Sequence, residues 1–184
     1  MAIKPTILKV TMQVADIDRA YYDDLKLTIA QHPSETDERT MVRLLAFALH
    51  ASEGLKFTEG ISSAEDEPDI WKKNLSGEIE LWIDVGLPDE RRIRKACNRA
   101  KLVYIYAYGG RTVPLWWQPM AEKLTRHQNL KVIVLPQTAT RSLAKLAQKT
   151  MALQCTVQDG QIWMGDSDNN VFVEPDPLCV AVRE

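Results

Sequence analysis

The sequence is poor in the residues from which most catalytic signatures are built. Of its 184 residues, three are cysteine, three histidine and eight glycine. Cys97, Cys155 and Cys179 lie far apart, without metal-ligand or redox spacing. That argues against a cysteine-built zinc or redox site and suits reduced thiols in the cytoplasm. His32, His50 and His127 show no ligand spacing. No glycine loop is placed to cradle a phosphate, and no nucleophile stands in a convincing relation to a histidine. No apolar run approaches membrane-spanning length. The first residues, MAIKP, lack the apolar stretch of a signal peptide. The expectation is a cytoplasmic protein with no membrane partner. A formal net charge of -2 excludes a global basic field, so charge alone does not drive strong non-specific binding to nucleic acid. Repeats, linkers and low-complexity segments are missing, and the length suits one domain over residues 1–184.

What is present is a strand of unusual polarity. Over residues 78–85, Ile79, Leu81, Ile83 and Val85 alternate with Glu78, Glu80, Trp82 and Asp84. A period of two makes this a strand with an apolar core face. The other face carries carboxylates and an indole. Like charges on one strand face repel, so that side is either solvated or covered by something positive. A preceding strand over 67–73, joined through 74–77, makes a hairpin. Pairing Lys73 with Glu78 sets Asp69 opposite Trp82, Trp71 opposite Glu80 and Glu67 opposite Asp84. Acids and indoles then share one patch.

Around the hairpin, residues 6–14 and 22–31 read as a strand pair. Ser34 reads as the N-cap of a helix over 35–52. Phe57 marks a weak strand. Pro88, Asp89 and Glu90 suit the start of a helix that reaches about residue 100. Residues 102–108 form a strand buried on both faces. Then follow a helix over 114–126, a strand over 130–135 and a helix over 140–149. Strands over 152–158, 161–164 and 171–173 end the pattern, with irregular chain after Pro175. The class is α/β with a mixed sheet, and the terminal strands extend that sheet or build a second one.

In the first long helix, Glu38 shares a side with Val42, Leu45 and Leu49 and should point toward the core. An inward glutamate needs a proton, a cation or good donors. Arg39 and Arg43 are candidates, and so is an ion shared with the hairpin acids. Carboxylates suit Mg²⁺ or Mn²⁺ rather than zinc. Such an ion can activate water and stabilise a phosphoryl group.

Four stretches resemble the YaeQ family: residues 32–46 (HPSETDERTMVRLLA), 66–68 (DEP), 81–96 (LWIDVGLPDERRIRKA) and 151–163 (MALQCTVQDGQIW). The likeness spans nearly the whole chain. It implies a variant of the PD-(D/E)xK nuclease superfamily, with a restriction-endonuclease-like αβββαβ core that binds a divalent metal. Carried over residue by residue, Glu38, with Glu35 as a second option, matches the helix glutamate. Pro68 and Asp69 match the "PD". Glu80 or Asp84 is the next acid, with Asp69, Glu80 and Asp84 as the implied metal ligands. The motif wants a lysine two positions after the acid, where Trp82 or Gly86 stands. Lys95 on the following helix is the substitute, although it sits away from the stripe of Ile93, Ala96, Cys97 and Ala100. Arg92 is nearer that stripe but is a poor proton acceptor.

The basic helix over 91–101 reads as a solvated face or as a phosphate-contact surface. Two main functions compete. One is Mg²⁺-dependent hydrolysis of nucleic-acid phosphodiesters by Glu38, Asp69, Glu80, Asp84 and Lys95. The other is a non-catalytic module that binds nucleic acid or protein on a degenerate nuclease core.

Overall fold

A hairpin of two long strands opens the fold, which is seen here in a computed structural model describing residues 4–59 and 66–179. β1 (Thr6–Asp16) and β2 (Tyr21–Gln31) pair antiparallel in an unbroken register from Thr6↔Gln31 to Asp16↔Tyr21. Leu8, Val10, Met12 and Val14 are buried, and the residues between them face outward. This is the alternation expected of a one-sided sheet.

α1 (Asp37–His50) follows, and its cap is Thr36 rather than Ser34. The Thr36 hydroxyl accepts from the Arg39 N–H at 3.1 Å. Residues 40–48 are all buried, so the helix is enclosed on every side rather than amphipathic. β3 (Leu55–Phe57) is the short strand that Phe57 marked. β4 (Ile70–Lys73) starts later than expected, which leaves Asp69 just before it, and β5 (Ile79–Val85) completes the central hairpin. α2 (Glu90–Arg99) is capped by Asp89, whose carboxylate accepts from the Arg92 N–H at 2.8 Å. β6 (Ala100–Ala107) continues from it.

The helix expected over 114–126 is two short ones, α3 (Thr112–Trp117) and α4 (Ala121–Leu124). Pro119 lies between them and cannot supply the N–H that a continuous helix requires. β7 (Leu130–Val134) leads to α5 (Gln137–Ala144), which starts three residues before the expected position. β8 (Thr150–Gln158), β9 (Gln161–Gly165), β10 (Asn170–Val173) and β11 (Asp176–Cys179) close the described chain. β11 corrects the expectation of irregular chain after Pro175, and the residues beyond 179 lie outside the description.

The terminal strands do not merely extend one sheet. They build a second mixed sheet of five strands, in the order β10-β9-β8-β1-β2. The other sheet has six, in the order β11-β7-β6-β5-β4-β3, with β5, β6 and β7 parallel. One core lies between the sheets and takes in α1, with Leu143 and Leu146 from α5 and its exit. A second core lies on the far side of the six-stranded sheet, where Trp82, Val103 and Ile105 meet Ile93, Ala96 and Cys97 of α2 and Trp117 and Leu124 beyond. Both faces of β5 are therefore buried. The strand face that carries Trp82 and Asp84 is covered by α2, not by water. Among the described residues no helix is long and apolar enough to cross a membrane.

A polar cluster around His50 sits inside this frame. His50 Nε2 lies 2.5 Å from the hydroxyl of fully buried Tyr106, and the His50 ring meets Tyr104 edge-on at 4.3 Å. Burial first, then the charges of Arg19 and Lys131, push the His50 pKa down to about 3. The unfolded chain, with an ordinary value near 6.5, binds the proton more readily. Stability from this group is thus present above pH 6.5 and lost as pH falls toward 3. His50→Gln is expected to flatten this part of the acid limb in a plot of Tm against pH. An unchanged limb would remove His50 as its cause.

Candidate functional site

The parallel strands β5 and β6 end beside the start of α1, which is the side of an open α/β sheet where ligands commonly bind. Asp84 is the penultimate residue of β5, and its side chain is only 2 % exposed. Arg92, one turn into α2, grips it with two hydrogen bonds: Nε to Oδ2 at 2.9 Å and one terminal nitrogen to Oδ1 at 3.0 Å. This two-point fork is the strongest geometry available to an arginine–carboxylate pair. The Trp82 indole adds a donor to Oδ2 at 3.1 Å, and the Asp69 N–H adds one to Oδ1 at 3.2 Å. Burial pushes the Asp84 carboxyl above its ordinary pKa, and Arg92 offsets only part of that rise.

Asp69, just before β4, ties the start of that strand to the end of β5. Its N–H also donates to the Ile83 carbonyl at 3.1 Å. Its Oδ2 accepts from the Val85 N–H at 2.9 Å, and its Oδ1 accepts from Arg39 at 2.8 Å. Arg39 donates again to Glu35 at 3.0 Å. Glu35 then takes two bonds from Arg43, at 2.8 and 2.7 Å, and Arg43 reaches the Ala30 carbonyl of β2 at 2.9 Å. Burial alone would lower the Arg39 pKa, but Asp69 and Glu35 outweigh it and hold the guanidinium firmly charged. Three guanidinium groups (Arg39, Arg43, Arg92) thus face three carboxylates (Glu35, Asp69, Asp84). Their formal charges cancel.

The hairpin register differs from the expected one. Trp71 lies opposite Trp82 and Ile70 opposite Ile83, with an irregularity between Lys72 and Lys73 near the turn. The slip away from the turn is two residues. It keeps Asp69, Trp71, Trp82 and Asp84 on the expected face and carries Asp69 level with Asp84. The remaining expected residues are not gathered there. Glu80 stands four residues back from Asp84, about 13 Å along the strand, at the irregular step of the hairpin register. It is half-buried and makes no hydrogen bond or ion pair with the described residues. Glu38 is half-buried at the margin, where its charge reaches Tyr108. Lys95 pairs with exposed Asp66 and not with Asp69 or Asp84.

The residues that complete the network are Glu35, Arg39, Arg43 and Arg92. A signal for the first three lies in their spacing of four residues, which stacks them on one helical face. The backbone carries that line of side chains even though Glu35 precedes the helix.

The donor set does not fit a divalent ion as it stands. Both oxygens of Asp69 and of Asp84 already accept from protein N–H groups. Among the described residues no group of three or more His, Cys, Asp or Glu side chains is arranged to hold a metal. The guanidinium groups supply the positive charge that an ion would bring.

The YaeQ protein family model matches residues 1–175. The chain belongs to the YaeQ family. It is 48% identical over 174 residues to an uncharacterised YaeQ protein from Salmonella typhi, a match that covers 95% of this chain and 96% of the relative. A YaeQ protein from Escherichia coli strain K12 is 47% identical over 173 residues, covering 94% and 95%. The crystal structure of the YaeQ protein from Xanthomonas axonopodis pv. citri superposes with a TM-score of 0.91 at 44% identity, covering 96% of this chain and 99% of that one. The structure of the Pseudomonas syringae YaeQ protein gives 0.89 at 32% identity, covering 98% and 97%. The two-sheet architecture with its enclosed α1 is thus shared with YaeQ proteins of solved structure.

Proposed function

We propose that the chain is a non-catalytic nucleic-acid-binding module that retains a degenerate PD-(D/E)xK core. The element order α1-β3-β4-β5-α2-β6 is the αβββαβ order of that superfamily. Pro68 and Asp69 stand just before β4, and Asp84 near the end of β5, which supports matching them to the motif acids. The observation that carries the non-catalytic half is the bidentate Arg92–Asp84 pair. An arginine there neutralises the acid permanently and cannot accept a proton from water.

Support for nucleic acid comes from the outer face of α2. Arg91, Arg94 and Arg99 are exposed, and Lys101 follows at the start of β6. Nearby acids engage two of these cations loosely: Glu90 is 3.8 Å from Arg94, and Glu78 is 3.5 Å from Lys101. Exposed pairs of this kind contribute about 0–1 kcal/mol, so phosphates can replace the acids. Contacts to phosphate position a strand without reading its sequence.

The test is fluorescence anisotropy with labelled DNA and RNA in EDTA across a salt series, run beside cleavage assays in Mg²⁺ and Mn²⁺. Binding should weaken steeply with salt, with a log–log slope of about -3 for three to four phosphate contacts. Arg91→Glu with Arg94→Glu should weaken it by at least about tenfold, with no cleavage by either protein. Absence of binding in EDTA overturns the reading. So does metal-dependent cleavage that Asp84→Asn abolishes, which would restore the hydrolase.

A further inference from the structure

We propose that a second copy of this chain pairs with the free edge of β2, joining two five-stranded sheets into one across a two-fold axis at Leu25. β2 is the last strand of its sheet, and its ladder to β1 runs eleven residues without a bulge. Among the described residues no strand covers its other side. Its outward backbone groups can be identified. The Asp24 N–H bonds to the Asp23 carboxylate, and the Ala30 carbonyl accepts from Arg43, so neither is engaged with β1. The even-numbered residues therefore turn their N–H and C=O groups to the open edge. Such an edge is a template for another strand.

Charge selects the occupant and the register. A second copy meets this edge antiparallel, and the hydrogen-bonded pairs must join even-numbered residues to even-numbered residues. With the axis at Leu25, Asp24 faces the partner's Lys26 and Lys26 faces the partner's Asp24. Tyr22, which is 63% exposed, faces the partner's Thr28. The half-buried Leu25 side chains meet at the axis on the core side. Moving the axis one residue either way sets Lys26 against Lys26 or Asp24 against Asp24. Like charges directly opposite are destabilising, and opposite charges are favourable. The strand is thus complementary to itself in one register. Residues 21–29 overlap there, about 30 Å of ladder at ~3.4 Å per residue. On pairing, the Asp23 carboxylate releases the Asp24 N–H and turns to water. The contact is narrow for a protein interface, so the dimer should dissociate at around 10 µM.

Sedimentation velocity between about 1 and 200 µM tests this, a range that brackets the expected dissociation constant. The wild-type chain should move from the mass of one chain to the mass of two across that range. Lys26→Asp and Asp24→Lys each place like charges opposite one another at two points. Each should weaken the dimer by about tenfold or more. The double exchange Asp24→Lys with Lys26→Asp should restore it. Circular dichroism and the Tm check that the variants are folded, which is expected because both positions are exposed. A chain that stays monomeric throughout overturns the proposal. A dimer indifferent to the single exchanges, or one that the double exchange does not rescue, also overturns it.

Discussion

Arg92→Ala is expected to destabilise the fold by about 3–5 kcal/mol in urea unfolding, the cost of leaving a buried carboxylate without its partner. In the intact chain the Asp84 side chain is 2 % exposed, and the substitution leaves it the Trp82 indole and the Asp69 N–H as its remaining donors. The effect should depend on pH in a definite direction. Burial already raises the Asp84 pKa, and Arg92 opposes the rise. Without Arg92 the folded value climbs further above the unfolded one. The native state then holds this proton more tightly than the unfolded state does. The variant is therefore relatively most stable below the ordinary aspartate value and loses stability as pH rises through the raised one. Its deficit against wild type should be smaller at mildly acid pH than at neutral pH. Adding Asp84→Asn to Arg92→Met should recover much of the loss, because the uncompensated charge is gone. A deficit below about 1 kcal/mol at neutral pH, in the range of an exposed pair, would show that the fork is not a buried pair in solution.

Glu35→Ala is the second large effect, again about 3–5 kcal/mol by the same reasoning. The Glu35 side chain is 7 % exposed and accepts from both Arg39 and Arg43. Arg39 keeps Asp69 after the change. Arg43, whose side chain is 9 % exposed, keeps only the Ala30 carbonyl. That carbonyl satisfies one hydrogen bond and does not balance a charge. Since this bond ties α1 to β2, the damage should extend to the hairpin and show as faster amide exchange there. Glu38→Ala is the matched control: it lies one helical turn away at the margin and should change stability by no more than about 0.5 kcal/mol. Equal effects from the two substitutions would dismiss the assignment of the inward glutamate to position 35.

The contrast between Glu35 and Glu38 shows why part of the site was legible and part was not. The apolar stripe of α1 points to an inward acid near the helix start, and the chain has one. The enclosure of α1 on all sides removes the distinction between core face and solvent face, so the stripe does not choose between neighbouring glutamates. Lys95 lies apart from the cluster for the converse reason. Its distance from the α2 stripe already places it at the surface, and it meets Asp66 there. Arg92, nearer the stripe, is the cation that enters.

Local pattern by itself determined the strands and helices, because alternation over two residues and capping groups act between neighbours in the chain. It marked β1, β2, β5, α1, α2 and β6, and it put Asp69 and Asp84 on one face. Tertiary structure alone decided what covers that face. Arg39 and Asp69 are 30 residues apart, and Arg92 and Asp84 are brought together by the turn of α2 back over β5. A carboxylate on a strand carries the same local signal whether water, an ion or a guanidinium faces it. The fold places guanidinium groups there, since burying both faces of β5 leaves Asp84 no access to water and requires a fixed cation beside it.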